Sequence, residues 1–117
     1  MRRKEDSAGQ AAERRPKTRK QVLLTGIIAA LGGDSSLDCT IRDLSETGAK
    51  IVAAKGAQLP PHFYLINIRD RIAYEARLVR SDASEAGVLF QKTLPLSGLT
   101  DPALGFLKRM WMSKATR

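Results

Sequence analysis

Val22-Leu23-Leu24-Thr25-Gly26-Ile27-Ile28-Ala29-Ala30-Leu31, then Gly32-Gly33-Asp34-Ser35-Ser36, then Leu37-Asp38-Cys39-Thr40-Ile41-Arg42 is the stretch whose reading decides the fold. The apolar run by itself fits a buried strand or a buried helix, so its neighbours arbitrate. Gly-Gly-Asp-Ser-Ser is strong turn chemistry, and the segment after it alternates Leu37, Cys39 and Ile41 against Asp38, Thr40 and Arg42. The two segments read as a β-hairpin. Gly26 inside the first strand predicts a bulge or bend of the kind that lets a small barrel close.

The same grammar continues along the chain. A turn from Asp43 to Gly48 leads to a short strand, Ala49 to Ala53, and Lys55 to Pro61 is a loop that its prolines keep out of either neighbour. Phe63, Leu65 and Asn67 alternate with Tyr64, Ile66 and Ile68, and Arg69-Asp70-Arg71 turns the chain into Ile72 to Ser81, where Ile72, Tyr74, Ala76 and Leu78 share one face. Asp82 to Glu85 turns it again into Ala86 to Gln91. Six short strands without interleaved helices predict an all-β fold, an antiparallel barrel or sandwich.

The period changes at the end. Thr100 is the expected N-cap, with Asp101 and Pro102 in the first turn, and Ala103, Phe106, Leu107, Met110 and Trp111 recur at helical spacing. This C-terminal amphipathic helix is expected to cover one side or mouth of the barrel, with docking on a partner or membrane surface as the alternative. The expected organisation is a disordered tail over 1–13, a barrel domain over 14–98 that includes a basic loop, and a helix with a short tail over 99–117.

At 117 residues the chain has room for one small core, which excludes a large multi-part enzyme. Its net charge of +8 sits at the ends: residues 1–20 carry eight Lys/Arg against three Asp/Glu, and residues 108–117 carry four Lys/Arg and no acid. The central part is nearly neutral, which argues against a broad nucleic-acid-binding face on the barrel, although a basic arm can touch a polyanion without reading its sequence. The single cysteine, Cys39, cannot form an internal disulfide and reads as a reduced, buried thiol. His62 follows Pro60-Pro61 with no second histidine or cysteine cluster to share a metal, so no metal is expected. No signal-peptide-type apolar stretch follows Met1-Arg2-Arg3-Lys4-Glu5-Asp6, and Val22–Leu31 is well short of the roughly 20 residues that cross a bilayer; a cytoplasmic location without a membrane span is expected.

Two further stretches carry ligand chemistry. Arg14-Arg15-Pro16-Lys17-Thr18-Arg19 is a basic loop in which Pro16 opposes a continuous helix, and Asp43-Leu44-Ser45-Glu46-Thr47-Gly48 connects two strands. A guanidinium fork grips phosphate or the O6/N7 edge of guanine through two parallel hydrogen bonds, and a carboxylate complements the N1-H and N2-H donors of guanine. A serine hydroxyl serves a phosphate or its own turn, and a glycine admits close backbone approach or positive φ. Either motif alone is weak, since basic tails and ordinary turns produce them; their order and context carry the signal.

Together they resemble the PilZ domain, a bacterial family that binds the second messenger cyclic di-GMP. Its motifs, Arg-x-x-x-Arg and Asp/Asn-x-Ser-x-x-Gly, are both complete here, at Arg15–Arg19 and Asp43–Gly48. The likeness extends through Ile72–Arg80 and Ala86–Phe90, which look like the family's closing strands. The resemblance implies a PilZ-type barrel, Arg15 and Arg19 as the arginines that clamp guanine and phosphate as their loop folds over the ligand, and Asp43, Ser45 and Gly48 as the second motif on the barrel surface. An arginine at the position of Arg14 tends in related domains to accompany a stacked ligand dimer; the alternative is one more solvated cation. One departure stands out, because many relatives end the fifth strand in tryptophan where this chain has Leu78-Val79-Arg80.

The implied function is a receptor or adaptor: cyclic di-GMP binding orders the basic loop and alters affinity for a downstream protein partner, with no catalytic residue and no cofactor required. The alternative is a degenerate member that no longer binds nucleotide and serves as a protein-interaction module. An enzyme fares worst, since there is no NTPase-type glycine-rich phosphate loop, no metal-ligand cluster and no nucleophile–base pair in sequence.

Overall fold

The computed structural model describes residues 20–115, with the backbone alone of residue 20. The expected tail over 1–13 and the basic loop carrying Arg14, Arg15 and Arg19 lie outside the described residues. Six strands, Lys20–Ala29 (β1), Ser36–Leu44 (β2), Gly48–Ala53 (β3), His62–Asn67 (β4), Ile72–Asp82 (β5) and Glu85–Pro95 (β6), form one closed antiparallel barrel in the order β1-β2-β3-β6-β5-β4. The Lys55–Pro61 loop carries the chain from β3 to β4, because β3 pairs with β2 and β6 whereas β4 pairs with β1 and β5. A helix, Gly105–Ala115 (α1), follows.

Two apolar layers explain the sequence pattern. Leu24, Ile28, Cys39, Ile41, Ile51, Phe63, Leu65, Tyr74, Ala76 and Val88 fill the barrel interior. The alternate residues Ile27 and Ala29 of β1, Tyr64 and Ile66 of β4 and Ala73 of β5 form a second buried layer with Leu96, Phe106 and Leu107. That layer is the outside of β1, β4 and β5, covered by α1. A strand buried on both faces reads as a continuous apolar run instead of an alternation, which is why Ile27–Ala29 and Phe63–Ile66 look as they do. The helix therefore covers a side of the barrel. Phe106 and Leu107 are buried, and Met110 and Trp111 pack at the margin.

Three local features differ from the sequence reading. The irregularity in β1 lies between Gln21 and Leu24, and Gly26 is regularly paired with Cys39. A Cβ at Gly26 would stand 3.0 Å from the Cys39 sulfur and 3.2 Å from Ile41, so the glycine makes room for interior side chains and does not bend the strand. The helix start is capped by Asp101 and not Thr100: the Asp101 Oδ1 accepts from the Ala103 N–H at 2.9 Å ahead of a 3-10 turn, Pro102–Leu104, that feeds α1. Ala103, placed on the apolar stripe by spacing, is exposed because of that tighter turn. Strand β6 also runs further than Ala86–Gln91, reaching Pro95 along the extended β5.

The β4–β5 hairpin anchors the helix. Asn67, fully buried, donates from Nδ2 to Asp70 Oδ2 at 3.0 Å and accepts from the Asp70 N–H at 3.2 Å, closing the turn. Hydrogen bonds from Arg69, and then from Asn67, hold the Asp70 carboxyl below its usual range. The Trp111 Nε1–H donates 2.8 Å to the Ile68 carbonyl, and the Arg71 guanidinium lies 5.3 Å from the indole centroid. At the other edge, Gly33 takes a positive φ of 78° in the β1–β2 turn, where a Cβ would meet the Phe106 ring at 2.8 Å. Lys114 Nζ reaches Asp38 Oδ2 at 2.7 Å on β2. Among the described residues no helix is long and apolar enough to cross a membrane.

Two outcomes follow from this packing. Leu107→Ala should lower unfolding free energy by about 2–5 kcal/mol in a denaturant titration, a large share of the total for a small domain, and should shift the emission of Trp111, the one tryptophan, to the red as α1 loosens. Burial, and secondarily the Asp38 charge, pushes the Cys39 thiol up to about 12. At about pH 8 roughly one such thiol in ten thousand is ionised, so an aromatic disulfide reagent should react with the native protein only at the rate of unfolding and at once in denaturant.

Candidate functional site

The second motif is built where two strands, β1 and β2, lose their regular register. Pairing shifts between Gln21 and Leu24 in the β1–β2 ladder and between Ile41 and Asp43 in the β2–β3 ladder, so β2 is flanked by an irregularity on each side. Bulges increase twist and re-aim side chains, so this corner presents Arg42 and Asp43 differently from a regular strand. Asp43 therefore belongs to β2 and not to the turn, which is confined to Ser45–Thr47. It pairs with Gln21 on one side and Lys50 on the other. Its Oδ2 stands 3.7 Å from Lys50 Nζ, a cross-strand ion pair with 18% and 31% of the two side chains exposed.

Ser45 serves its own turn. Its Oγ accepts from the Thr47 and Gly48 N–H groups at 3.3 and 3.2 Å and lies 3.3 Å from the Gly48 carbonyl, while the Ser45 N–H donates 3.0 Å to that carbonyl. Hydroxyl and backbone together close the β2–β3 connection, the local economy for which serine is favoured in turns. Gly48 is required for a different reason: its φ is not positive, but a Cβ there would collide with the Val88 carbonyl oxygen of β6. The absent side chain lets β3 and β6 lie close at the position where Gly48 faces Leu89 and Phe90 N–H donates 2.8 Å to the Thr47 carbonyl.

Asp43 opens onto a surface depression of about 480 Å³ whose polar lining is Gln21, Arg42, Asp43, Lys50 and Glu85, with Val22 and Leu23 as its apolar part. Arg42, Lys50 and Glu85 were not singled out by the sequence. Lys50 was within reach of such reasoning, because counting back across a tight hairpin puts it opposite Asp43; Glu85 was not, because it arrives from β6 through the β3–β6 pairing. The two cations and two carboxylates of the lining balance in charge. Arg80 sits exposed at the far end of β5 opposite Gly87, with Val79 bulged beside it.

Of the sequence-derived site residues, Asp43, Ser45 and Gly48 are brought to one corner. Arg14, Arg15 and Arg19 are outside the described residues, but the backbone that follows them pairs directly there, Lys20 with Leu44 and Gln21 with Asp43. No curated protein matches the chain at a significant level. The family model described as the PilZ domain matches residues 12–99, from just before the basic loop to just before the helix and about three-quarters of the sequence. With both motifs complete in the sequence and a closed six-stranded barrel among the described residues, the chain belongs to the PilZ domain family.

Proposed function

We propose that this chain is a cytoplasmic receptor for cyclic di-GMP, acting as an adaptor that converts messenger binding into a changed surface for a downstream protein. The family's role is binding and not catalysis, and the observation that carries the reading for this chain is the register of β1 on β2. With Gln21 opposite Asp43, peptide geometry keeps the Arg19 Cα within about 7 Å of Gln21 and that of Arg15 within about 22 Å, a reach that includes the whole depression. Its volume of about 480 Å³ falls in the range of small-molecule sites, about 300–1,000 Å³.

Charge then assigns the tasks. The lining among the described residues is balanced in charge, so attraction for a ligand with two phosphates is assigned to the basic lead-in, with Arg14, Arg15 and Arg19 as its proposed contacts. Arg15 and Arg19 grip phosphate and guanine through charge-assisted hydrogen bonds and stacking. Asp43 accepts from a guanine edge once Lys50 gives way or shares it. Ser45 and Gly48 hold the corner in shape and contribute through the backbone they position. Closure of the arginine loop over the ligand is the output: it fixes a new surface beside β1 and β2 for a partner to read, at the expense of ordering that loop.

Isothermal titration of the purified chain with cyclic di-GMP tests the reading. Arg15→Ala, Arg19→Ala and Asp43→Ala should each weaken binding by about 10-fold or more, the scale of a lost charge-assisted hydrogen bond; unchanged affinity in any of them would reject the assigned site. The native chain should take up two molecules and Arg14→Ala one, with saturation at one in the native chain removing the stacked dimer. Gly48→Ala should cost about 1–3 kcal/mol of stability without ligand, because the opposing atom is backbone and cannot step aside, whereas Ser45→Ala should cost about 1 kcal/mol by opening its turn.

A further inference from the structure

Away from the motif corner, the junction of α1 with the β4–β5 hairpin holds a groove of about 160 Å³ lined by Arg71, Leu96, Ser97, Lys108, Trp111 and Met112. Leu96 is buried at its floor, and the indole is fixed, since its N–H is committed to the Ile68 carbonyl and only its ring faces outward. Arg71 is equally fixed: it has a left-handed φ of 57°, its carbonyl accepts from the Leu96 N–H at 2.9 Å, and its guanidinium rests on the indole. Lys108 stands on the helix side. Among the described residues neither Arg71 nor Lys108 is within ion-pair distance of a carboxylate, although Arg69 and Lys114 nearby are both paired. An apolar floor under two cations that meet no carboxylate among the described residues, with the Arg71–Trp111 pair already in place, is a preorganised recognition surface.

We infer that this groove docks an acidic segment of a partner protein, one large apolar side chain entering the floor and flanking carboxylates meeting Arg71 and Lys108. Charge selects this occupant. The chain's own residues 1–20 carry a net +5 and residues 108–117 a net +4, so either segment would set cations against cations. The volume admits one side chain and not a cyclic dinucleotide. The inference is independent of messenger binding, because the groove shares no residue with the depression at Asp43.

A fluorescein-labelled peptide of alternating leucine and glutamate, titrated against the full chain by fluorescence polarisation and by Trp111 emission, tests it, with a leucine–glutamine peptide of equal length as control. Saturable binding of the glutamate peptide, falling with added salt, is expected. Lys108→Glu should weaken it by about fivefold, the upper end for an exposed ion pair, and Met112→Asp should weaken it as well, while both variants keep the native melting temperature and the native cyclic di-GMP titration. Equal affinity for the two peptides, or no change in Lys108→Glu, would overturn the inference. So would sedimentation of the chain with phosphatidylglycerol vesicles in the absence of peptide binding, which would assign the surface to lipid, or self-association that Met112→Asp abolishes, which would assign it to a second copy.

Discussion

Burial of β1 on both of its faces is the constraint from which the rest follows. Leu24 and Ile28 point into the barrel while Ile27 and Ala29 point outward beneath α1, and the strand pairs with β2 on one side and β4 on the other. Removing either layer would expose one apolar face of its C-terminal half, at about 25 cal/mol per Å2 of apolar area. The barrel and the helix are thus one folding unit despite the change of period between them, with Gly33 making space for Phe106 and the Asn67–Asp70 turn presenting the Ile68 carbonyl to Trp111.

The same strand joins packing to recognition. Because its C-terminal half is clamped on two faces, its N-terminal half is held in register where it meets Asp43, and the paired irregularities in β1 and β2 occur only beyond the clamp. The three residues of the second motif act there by different means. Asp43 offers a carboxylate shared with Lys50, Ser45 closes a turn, and Gly48 is an absence of atoms that lets two strands meet. A motif of this kind looks like a list of ligands in sequence, yet in space two of its three members are architectural.

The molecule also separates its charges by role. The depression at Asp43 is balanced, the barrel is nearly neutral, and the cations gather at the two ends of the chain, one leading into β1 and one on α1. A near-neutral barrel with a cationic lead-in in sequence is consistent with the proposed receptor for an anionic ligand, and the cations of α1 supply the second surface proposed for a protein with carboxylates. The first surface borders β1 and β2, whereas the second lies between α1 and the β4–β5 hairpin.

Strand count, antiparallel pairing, the C-terminal helix and the family were legible in the sequence because each rests on local chemistry: turn residues at Gly32–Ser36, alternation at Leu37–Ile41, helical spacing from Phe106 to Trp111, and two complete motifs. Chain order decided none of the non-local contacts. Gly26 read as a bend because a strand glycine has no local use, and only the Cys39 and Ile41 side chains from the next strand show that it clears space; Gly48 owes its identity to the Val88 carbonyl, forty residues away. Asp101 took the cap from Thr100 through a 3-10 turn that helical periodicity does not register. Glu85 joined the depression, and Arg71 joined Trp111, through strand pairing and helix docking. The sequence by itself determined which residues turn, alternate and carry charge, since those are properties of a few neighbours; the tertiary structure alone decided which of them meet, because close approach across a closed sheet depends on register and on volumes contributed by distant strands.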